Sequence, residues 1–110
     1  MIQFDDFLKI DIYVGTVLSA EDFPKARKPA YKLRIDFGET IGVKKSSAQI
    51  TDYYTKEALV GKQIMAVTNF PPRQIADFWS EVLVLGAVEA DGKVVLLSLT
   101  QPAENGVRIG

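Results

Sequence analysis

The sequence predicts an all-β domain of the OB-fold class, which is a five-stranded Greek-key barrel, with short helices and extra C-terminal strands. Three β-rich segments come first, a short interruption typical of a helix follows, and further β-rich segments complete the chain. This order of elements is that of the OB-fold. An SH3-like barrel is the alternative, although it does not need a helix after the third strand. At 110 residues the chain has room for one domain, residues 1–110.

The first half of the chain alternates apolar and polar residues at the spacing of β-strands. The clearest case runs from Tyr31 to Phe37, where every second side chain is large and apolar. Strands are also predicted over 11–20 and, after a turn at Gly38-Glu39, over 41–47. The residues expected to face the core are Ile12, Val14, Leu18 and Ala20 in the first strand, and Ile41 and Val43 in the third. Ahead of them, Phe4, Phe7 and Leu8 form one apolar stripe, which predicts a short helix over 4–9.

In the second half of the chain, glycine and proline residues mark the ends of the predicted helix and strands. The alternation is lost over 49–59 before Gly61, which predicts a short helix ended by a glycine. Pro71-Pro72 cannot continue a central strand, so a loop is predicted as far as Ser80. The remaining predicted strands are 62–70, then Val82 to Val88, whose apolar run indicates cover on both faces, and 93–99, reached through a type I′ turn at Asp91-Gly92.

The amino-acid composition excludes most kinds of catalytic residue. The chain has no cysteine and no histidine, so it offers no thiol nucleophile, no imidazole base and no ordinary zinc site. There is no glycine-rich phosphate loop, and the carboxylates are scattered. We therefore expect a binding module rather than an enzyme, with no cofactor or metal. The absence of cysteine and of any signal-like start fits a cytoplasmic protein.

Two further features bear on the partners. The formal net charge is −1 and the pI is about 5.4, which argues against strong non-specific binding to nucleic acid. The apolar residues of the last strands and of the tail, including Val107 and Ile109, exceed what a small barrel covers. We therefore expect both chain ends to pack against a second copy of the chain, which makes the protein a homodimer.

The loop from Asn69 to Glu81 is the best candidate for a binding site. Its two prolines fix the backbone, so Arg73 would be presented to a ligand at little entropic cost, although the prolines also suffice to end a strand. Phe78 and Trp79 either anchor the loop in the core or stand exposed as an apolar wall or stacking platform. Glu81, just before a buried strand, suggests a polar anchor for the loop.

The cations of the chain allow two interpretations. The densest group, Lys25, Arg27, Lys28, Lys32 and Arg34, is most simply a solvated face. Lys44 and Lys45, near the end of the third strand, are better placed to line a groove for a polyanion.

Four ordered blocks resemble the tRNA-binding-domain family, which includes domains appended to some methionyl-tRNA synthetases and the export-related chaperone CsaA. They are Asp6 to Val17, Ile35 to Gly38, Lys45 to Thr51, and Asn69 to Ile75 followed by Ser80 to Gly86. Within the third block, Ser46-Ser47-Ala48-Gln49 is similar to the CsaA branch. Two departures stand out: Tyr13 occupies a position where the family commonly has arginine, and Asp77-Phe78-Trp79 replaces smaller residues.

The resemblance implies an OB-fold homodimer and two alternative functions. The first is a molecular chaperone that binds unfolded or precursor polypeptides for protein export, in a groove near the dimer interface. The second is a structure-specific tRNA-binding module. The residues expected at the peptide or RNA site are Lys32, Lys44, Lys45, Ser46, Ser47, Asn69, Arg73, Phe78, Trp79, Ser80 and Glu81. The chain has no excess of basic residues, and Tyr13 replaces a cation that the family commonly has at this position. Both observations favour the chaperone function over tRNA binding.

Overall fold

The structure, a computed structural model, describes residues 1–110 and consists mainly of short strands. None of its three helices, each four residues long, could cross a membrane. The elements are α1 (Phe4–Phe7), β1 (Ile12–Asp22), β2 (Tyr31–Asp36), α2 (Gly38–Ile41), β3 (Val43–Ala48), α3 (Lys56–Leu59), β4 (Gln63–Val67), β5 (Arg73–Ile75), β6 (Phe78–Ser80), β7 (Leu83–Val84), β8 (Gly86–Val88) and β9 (Val94–Leu96).

Five strands form a nearly closed barrel in the order β3-β2-β1-β4-β7, which confirms the predicted OB-fold. The eleven-residue β1 holds the barrel together because it pairs with two strands, using residues 16–22 for β2 and residues 12–16 for β4. At the far edge, the segment just before β7 bonds to β3: the Glu81 N–H donates to the Lys45 carbonyl at 2.8 Å. The barrel is therefore closed by one short segment, residues 80–84.

A β-bulge bends β1 between Val17 and Ser19, where its register with β2 shifts by one residue. A bulge of this kind interrupts the alternation of side chains. Val17 is consequently buried, whereas Leu18 is 43% exposed, so the prediction that Leu18 faces the core was wrong.

The core is filled by apolar residues of β1 to β4 and of the segments next to the barrel strands. It comprises Val17, Leu33, Ile35, Phe37, Ala48, Ile50, Leu59, Ile64, Ala66, Val82 and Leu96. The predicted alternation over 31–37 is confirmed by the complete burial of Leu33, Ile35 and Phe37. Gly15 lies against this layer: a Cβ atom there would come within 2.6 Å of Ile35 Cγ2 and 2.8 Å of the Phe37 ring. Only glycine allows β1 to lie so close to β2.

The third strand faces the other way from its prediction. In β3 the buried side chains are Ser46 and Ala48, while Val43 is 44% exposed and Ile41 lies before the strand in α2. The extra turn of helix, α2, displaces the start of the strand, and a shift of one residue exchanges the two faces. Ser46 is accepted in the core because its hydroxyl donates to the Val82 carbonyl at 2.9 Å.

The predicted apolar strand over 82–88 is also wrong. The chain bends between β7 and β8, and β8 leaves the barrel to pair with β9 in a separate two-stranded sheet. Val82 is buried, but Leu83 is half exposed and Val88 is largely exposed. The apolar run therefore divides its residues between the core and the surface instead of being covered on both faces.

Two local predictions need smaller corrections. The helix expected over 49–59 is limited to α3, which Thr55 caps by accepting a hydrogen bond from the Ala58 N–H at 3.1 Å. The β8–β9 turn has a positive φ at Gly92 alone, so it is not type I′, which needs positive φ at both central residues. The Glu89 N–H bonds the Lys93 carbonyl, giving a three-residue loop with glycine in the left-handed position.

The C-terminal tail adds to the barrel where β2 ends. The Val14 N–H donates to the Val107 carbonyl at 3.0 Å, and the Ile109 N–H donates to the Ile12 carbonyl at 2.9 Å. Arg108 then reaches the N-terminal segment. Its guanidinium bonds the Asp11 carboxylate at 2.8 Å and the carbonyls of Leu8 and Ile10, and it lies over the Tyr13 ring. The two chain ends are therefore held together.

Replacing Gly15 by alanine should destabilise the fold, because its Cβ would force β1 away from β2. We expect the free energy of unfolding to fall by about 1–3 kcal/mol, the usual cost of overpacking. Urea denaturation measures this value. Gly110→Ala is the control, since a Cβ at Gly110 meets nothing within 4 Å; equal stability of the two variants would contradict the close packing of β1.

Candidate functional site

The predicted loop after β4 contains a β-hairpin, which corrects the expectation of a loop over 71–80. Strands β5 and β6 pair Arg73 with Ser80, Gln74 with Trp79 and Ile75 with Phe78. Paired residues share a face of a hairpin and successive residues alternate between faces. Arg73, Ile75, Phe78 and Ser80 therefore share one face, and Gln74 and Trp79 share the other.

Polar side chains fix the end of this hairpin to β3. The Lys45 N–H donates to the Glu81 carboxylate at 3.0 Å, and the Ser47 N–H donates to the Ser80 hydroxyl at 3.0 Å. These bonds pair two N–H donors of the β3 edge, and the Glu81–Lys45 backbone bond pairs the carbonyl of Lys45. Glu81 thus has the anchoring contact that its position before a buried residue suggested.

The two aromatic residues of β6 have different environments. Phe78 packs against the buried Phe23 in an edge-to-face arrangement, with ring centroids 5.4 Å apart. The ammonium groups of Lys32 and Lys45 lie 5.9 Å and 5.4 Å from its ring centroid. Trp79 points away and is 48% exposed. Phe78 is therefore an anchor for the hairpin, whereas Trp79 is an exposed side chain on its outer face.

An ion pair fastens the turn of the hairpin. Lys25 Nζ lies 2.9 Å from Asp77 Oδ2, and this bond lowers the pKa of the Asp77 carboxyl and raises the pKa of Lys25. Since the pKa of Asp77 is depressed in the folded state, the stability that it contributes is present above the ordinary carboxyl pKa. This contribution is lost as the pH falls below the ordinary carboxyl pKa and through the lowered pKa of Asp77 in the folded state. Both side chains are exposed, so the attachment is weak and sensitive to salt.

Three adjoining clefts lie beside the hairpin, and we call them together the hairpin groove. The apolar cleft, of about 380 Å³, is lined by Ser47, Phe70, Pro71, Arg73, Ile75, Ser80, Glu81, Val82 and Leu83. The basic cleft, of about 290 Å³, is lined by Ala26, Arg27, Lys28, Ala30, Ser47, Gln49, Arg73 and Ile75. The outer cleft, of about 340 Å³, is lined by Ser47, Ala48, Gln49, Ile50, Arg73, Ile75, Leu83, Val84, Leu85, Gly86, Val88 and Val94.

All three clefts share Ser47, Arg73 and Ile75, so β5 and the end of β3 form the centre of the groove. Strand β5 pairs only with β6, which leaves its other edge without a partner strand. An extended chain can be recognised at such an edge by main-chain hydrogen bonds, with pockets for alternate side chains. The hairpin groove combines these two elements.

The structure brings together only some of the predicted site residues. Ser47, Arg73, Ser80 and Glu81 line the groove. The expected residues that line none of its three clefts are Lys32, Lys44, Lys45, Ser46, Asn69, Phe78 and Trp79. Asn69 has a clear structural role, because its side chain accepts from the Asp11 N–H at 3.0 Å and donates to the Lys9 carbonyl at 2.7 Å. Phe78 and Trp79 do not line these three clefts, and their part in ligand binding stays a prediction.

Sequence reasoning missed several residues of the groove. Ile75 and Leu83 were interpreted as ordinary loop and core positions, and Arg27 and Lys28 as part of a solvated face. A short alternating segment after the prolines, Arg73 to Ile75, was the available sign of an additional strand. No comparable sign linked Arg27 and Lys28 to Arg73. The structure also brings together no group of three His, Cys, Asp or Glu side chains that could hold a metal ion.

The fold agrees with that of a known family. Residues 12–108 match the family described as "Putative tRNA binding domain". The chain belongs to this tRNA-binding-domain family, which confirms the resemblance found in the sequence.

Within the family, the chain is similar over its whole length to solved structures of the chaperone CsaA. It superposes on CsaA of Bacillus anthracis with a TM-score of 0.95 at 55% identity, covering 100% of this chain and 99% of the other. For CsaA of Picrophilus torridus the TM-score is 0.93 at 56% identity, with 100% of both chains covered.

A second kind of relative is an enzyme. The methionine–tRNA ligase of Porphyromonas gingivalis is 45% identical over 93 residues, which are 84% of this chain. The match spans only 13% of the ligase, so this chain corresponds to a small part of that protein.

Proposed function

We propose that the protein is a chaperone that binds unfolded or precursor polypeptides in the hairpin groove, in support of protein export. The observation that supports this proposal most strongly is that β5, which has one edge without a partner strand, lines a largely apolar cleft. The edge offers main-chain hydrogen bonds to any extended segment, and the cleft offers a site for its apolar side chains. Similarity to the CsaA chaperones along the full length of the chain supports the same function.

The lining of the groove suits a partner without a fixed fold. Phe70 and Leu83 are each about half exposed although they are apolar, and Ile75 is partly buried beside them. Covering such residues is favourable by about 25 cal/mol for each Å² removed from water. Main-chain bonds do not depend on side-chain identity, so the groove would accept many sequences, as a chaperone requires.

The proposal includes no catalytic step. Neither cysteine nor histidine is present, and the groove contains a single carboxylate, Glu81, which is already hydrogen bonded to β3. The function as proposed is binding alone, without a cofactor, and we place it in the cytoplasm.

Leu83→Ala should weaken binding of an uncharged, leucine-rich peptide, because Leu83 lines both the apolar and the outer cleft. Losing about 1 kcal/mol of apolar contact corresponds to a roughly fivefold rise in Kd. Fluorescence anisotropy of a labelled peptide measures this change.

Val43→Ala is the matched control, since Val43 is also exposed, at 44% against 49% for Leu83, but lies outside the groove. Trp79→Ala should likewise leave the affinity unchanged, because Trp79 faces away from the clefts. If the control variants weaken binding as much as Leu83→Ala does, the peptide binds elsewhere.

A structure-specific tRNA-binding function is the second candidate. It is favoured by the family match and by the cations of the groove, since Arg27, Lys28 and Arg73 form no ion pair within the chain. The net charge of −1 limits non-specific attraction, so such binding would depend on a few phosphate contacts at this site.

If tRNA binds in the groove, Arg73→Ala should reduce the dependence of its affinity on salt. The slope of log K against log salt concentration should become less steep by about one for each lost phosphate contact. Filter binding at several salt concentrations measures the slope. Arg34→Ala, which removes an exposed cation outside the clefts, should leave it unchanged; a slope unaffected by Arg73→Ala would count against tRNA in the groove.

We also propose that the chain forms a homodimer through its ends. Phe4 is 70% exposed, and Leu8, Ile10 and Val107 are each more than one-third exposed. All four residues belong to the chain ends, which the contacts of Arg108 with the Leu8 and Ile10 carbonyls hold against each other. An exposed apolar patch of this kind is characteristic of an interface, and a second copy would cover it.

Sedimentation equilibrium at micromolar concentration should therefore give a dimer. Phe4→Ser should shift the protein toward monomer, since it replaces the most exposed of these four apolar side chains by a polar one. Val60→Ser changes an exposed apolar residue outside the chain ends and should leave the dimer intact. A monomeric native protein would refute this assembly.

A further inference from the structure

The basic cleft has an unusual charge for this protein. The chain as a whole carries a net charge of −1, yet the cleft is lined by three cations, Arg27, Lys28 and Arg73, and by no carboxylate. Its other lining residues are small, polar or apolar. The local excess of positive charge therefore does not follow from a basic composition.

These three cations also lack partners within the chain. None of them forms an ion pair, whereas the neighbouring Lys25 is paired with Asp77 and Lys32 lies 3.9 Å from Glu21. The carboxylate of the adjoining apolar cleft, Glu81, accepts a hydrogen bond from the Lys45 N–H. The neighbouring Lys25 and Lys32 thus have carboxylate partners, whereas the three cations of the basic cleft have none and are free to bind an external anion.

The basic cleft adjoins the apolar and outer clefts through shared lining residues. All three are bounded by Ser47 and by Arg73 and Ile75 of β5. A ligand that fills the basic cleft alone would leave the apolar clefts uncovered, and a purely apolar ligand would leave three cations unpaired. The lining is complementary to a ligand that presents apolar groups and an anionic group close together.

We propose that the hairpin groove selects polypeptide segments in which an acidic side chain lies within a few residues of large apolar side chains. The carboxylate occupies the basic cleft, and the apolar side chains occupy the adjoining clefts. This inference rests on the proposed polypeptide-binding function and adds a substrate class to it. Arg27 and Lys28 are the specificity-determining residues, since they line the basic cleft but not the other two.

A carboxylate fits this arrangement better than a nucleic-acid backbone does. A polyanion is held by a row of cations that follows its length. Here the basic cleft adjoins apolar clefts. Of the other cations near the hairpin, Lys25 is paired with Asp77, and Lys32 and Lys45 lie near the Phe78 ring outside the groove. A single anionic group beside apolar ones matches the charge pattern.

The test compares three labelled peptides of about ten residues, each with alternating leucine and serine. Two central serines are replaced by aspartate, asparagine or lysine, and binding to the full chain is measured by fluorescence anisotropy. At about 50 mM NaCl we expect the aspartate peptide to bind roughly three- to tenfold more tightly than the asparagine peptide, as for a few exposed charge contacts, and the lysine peptide to bind more weakly. At about 500 mM NaCl the difference should nearly vanish.

A double variant, Arg27→Gln with Lys28→Gln, should remove the preference for aspartate, so that it binds the aspartate and asparagine peptides with affinities within about twofold of each other. Arg34→Gln is the matched control, because Arg34 is an exposed cation without an ion pair that lines none of the three clefts. This control should retain the full preference. Circular dichroism of each variant establishes that it is folded.

The outcomes separate the two proposals. Equal affinity of native protein for the aspartate and asparagine peptides overturns the acidic preference and leaves polypeptide binding standing. Failure of all three peptides to bind overturns polypeptide binding and the inference with it. If the double variant loses binding of tRNA but keeps its preference for aspartate, the basic cleft is a phosphate site and the inference is wrong.

Discussion

The hydrogen bonds between the edge of β3 and residues 80–82 are the interaction on which both the barrel and its groove depend. An open strand edge exposes unpaired donors and acceptors, which is costly in a small barrel. Here the backbone and carboxylate of Glu81 bond Lys45, and the hydroxyl of Ser80 accepts from Ser47. The same segment then continues into β7 against β4, so one short stretch joins both edges of the sheet.

The hydrogen bonds between β3 and residues 80–82 also determine where the hairpin groove lies. Because Ser80 and Glu81 are fixed to β3, the β5–β6 hairpin that precedes them must lie beside the barrel, and Phe78 secures it against Phe23. The space left between the hairpin, the end of β3 and the loop around Arg27 is the groove. The polar residues Ser80 and Glu81 bond to β3, and we propose that ligand recognition depends mainly on Arg73, Ile75 and their neighbours.

The comparisons and the geometry answer different questions. Similarity to CsaA and to part of a methionine–tRNA ligase shows the family, but a family that contains both does not identify the ligand of one member. The groove favours a polypeptide ligand over tRNA, because its apolar clefts suit the side chains of a polypeptide and its three unpaired cations suit a single anionic group.

The sequence by itself determined the elements whose signal is local: the strand over 31–37, the stop at Gly61 and the OB-fold order all follow from the periodicity and turn residues of single segments. Only the tertiary structure decided the rest. Because of the bulge in β1, Val17 is buried in the core and Leu18 is exposed. Because α2 displaces the start of β3, Val43 faces solvent, since a shift of one residue moves every side chain of a strand to the other face. The groove joins Arg27 and Lys28 to Arg73 across more than forty residues, and no local pattern records which distant cations the closure of a barrel will bring together.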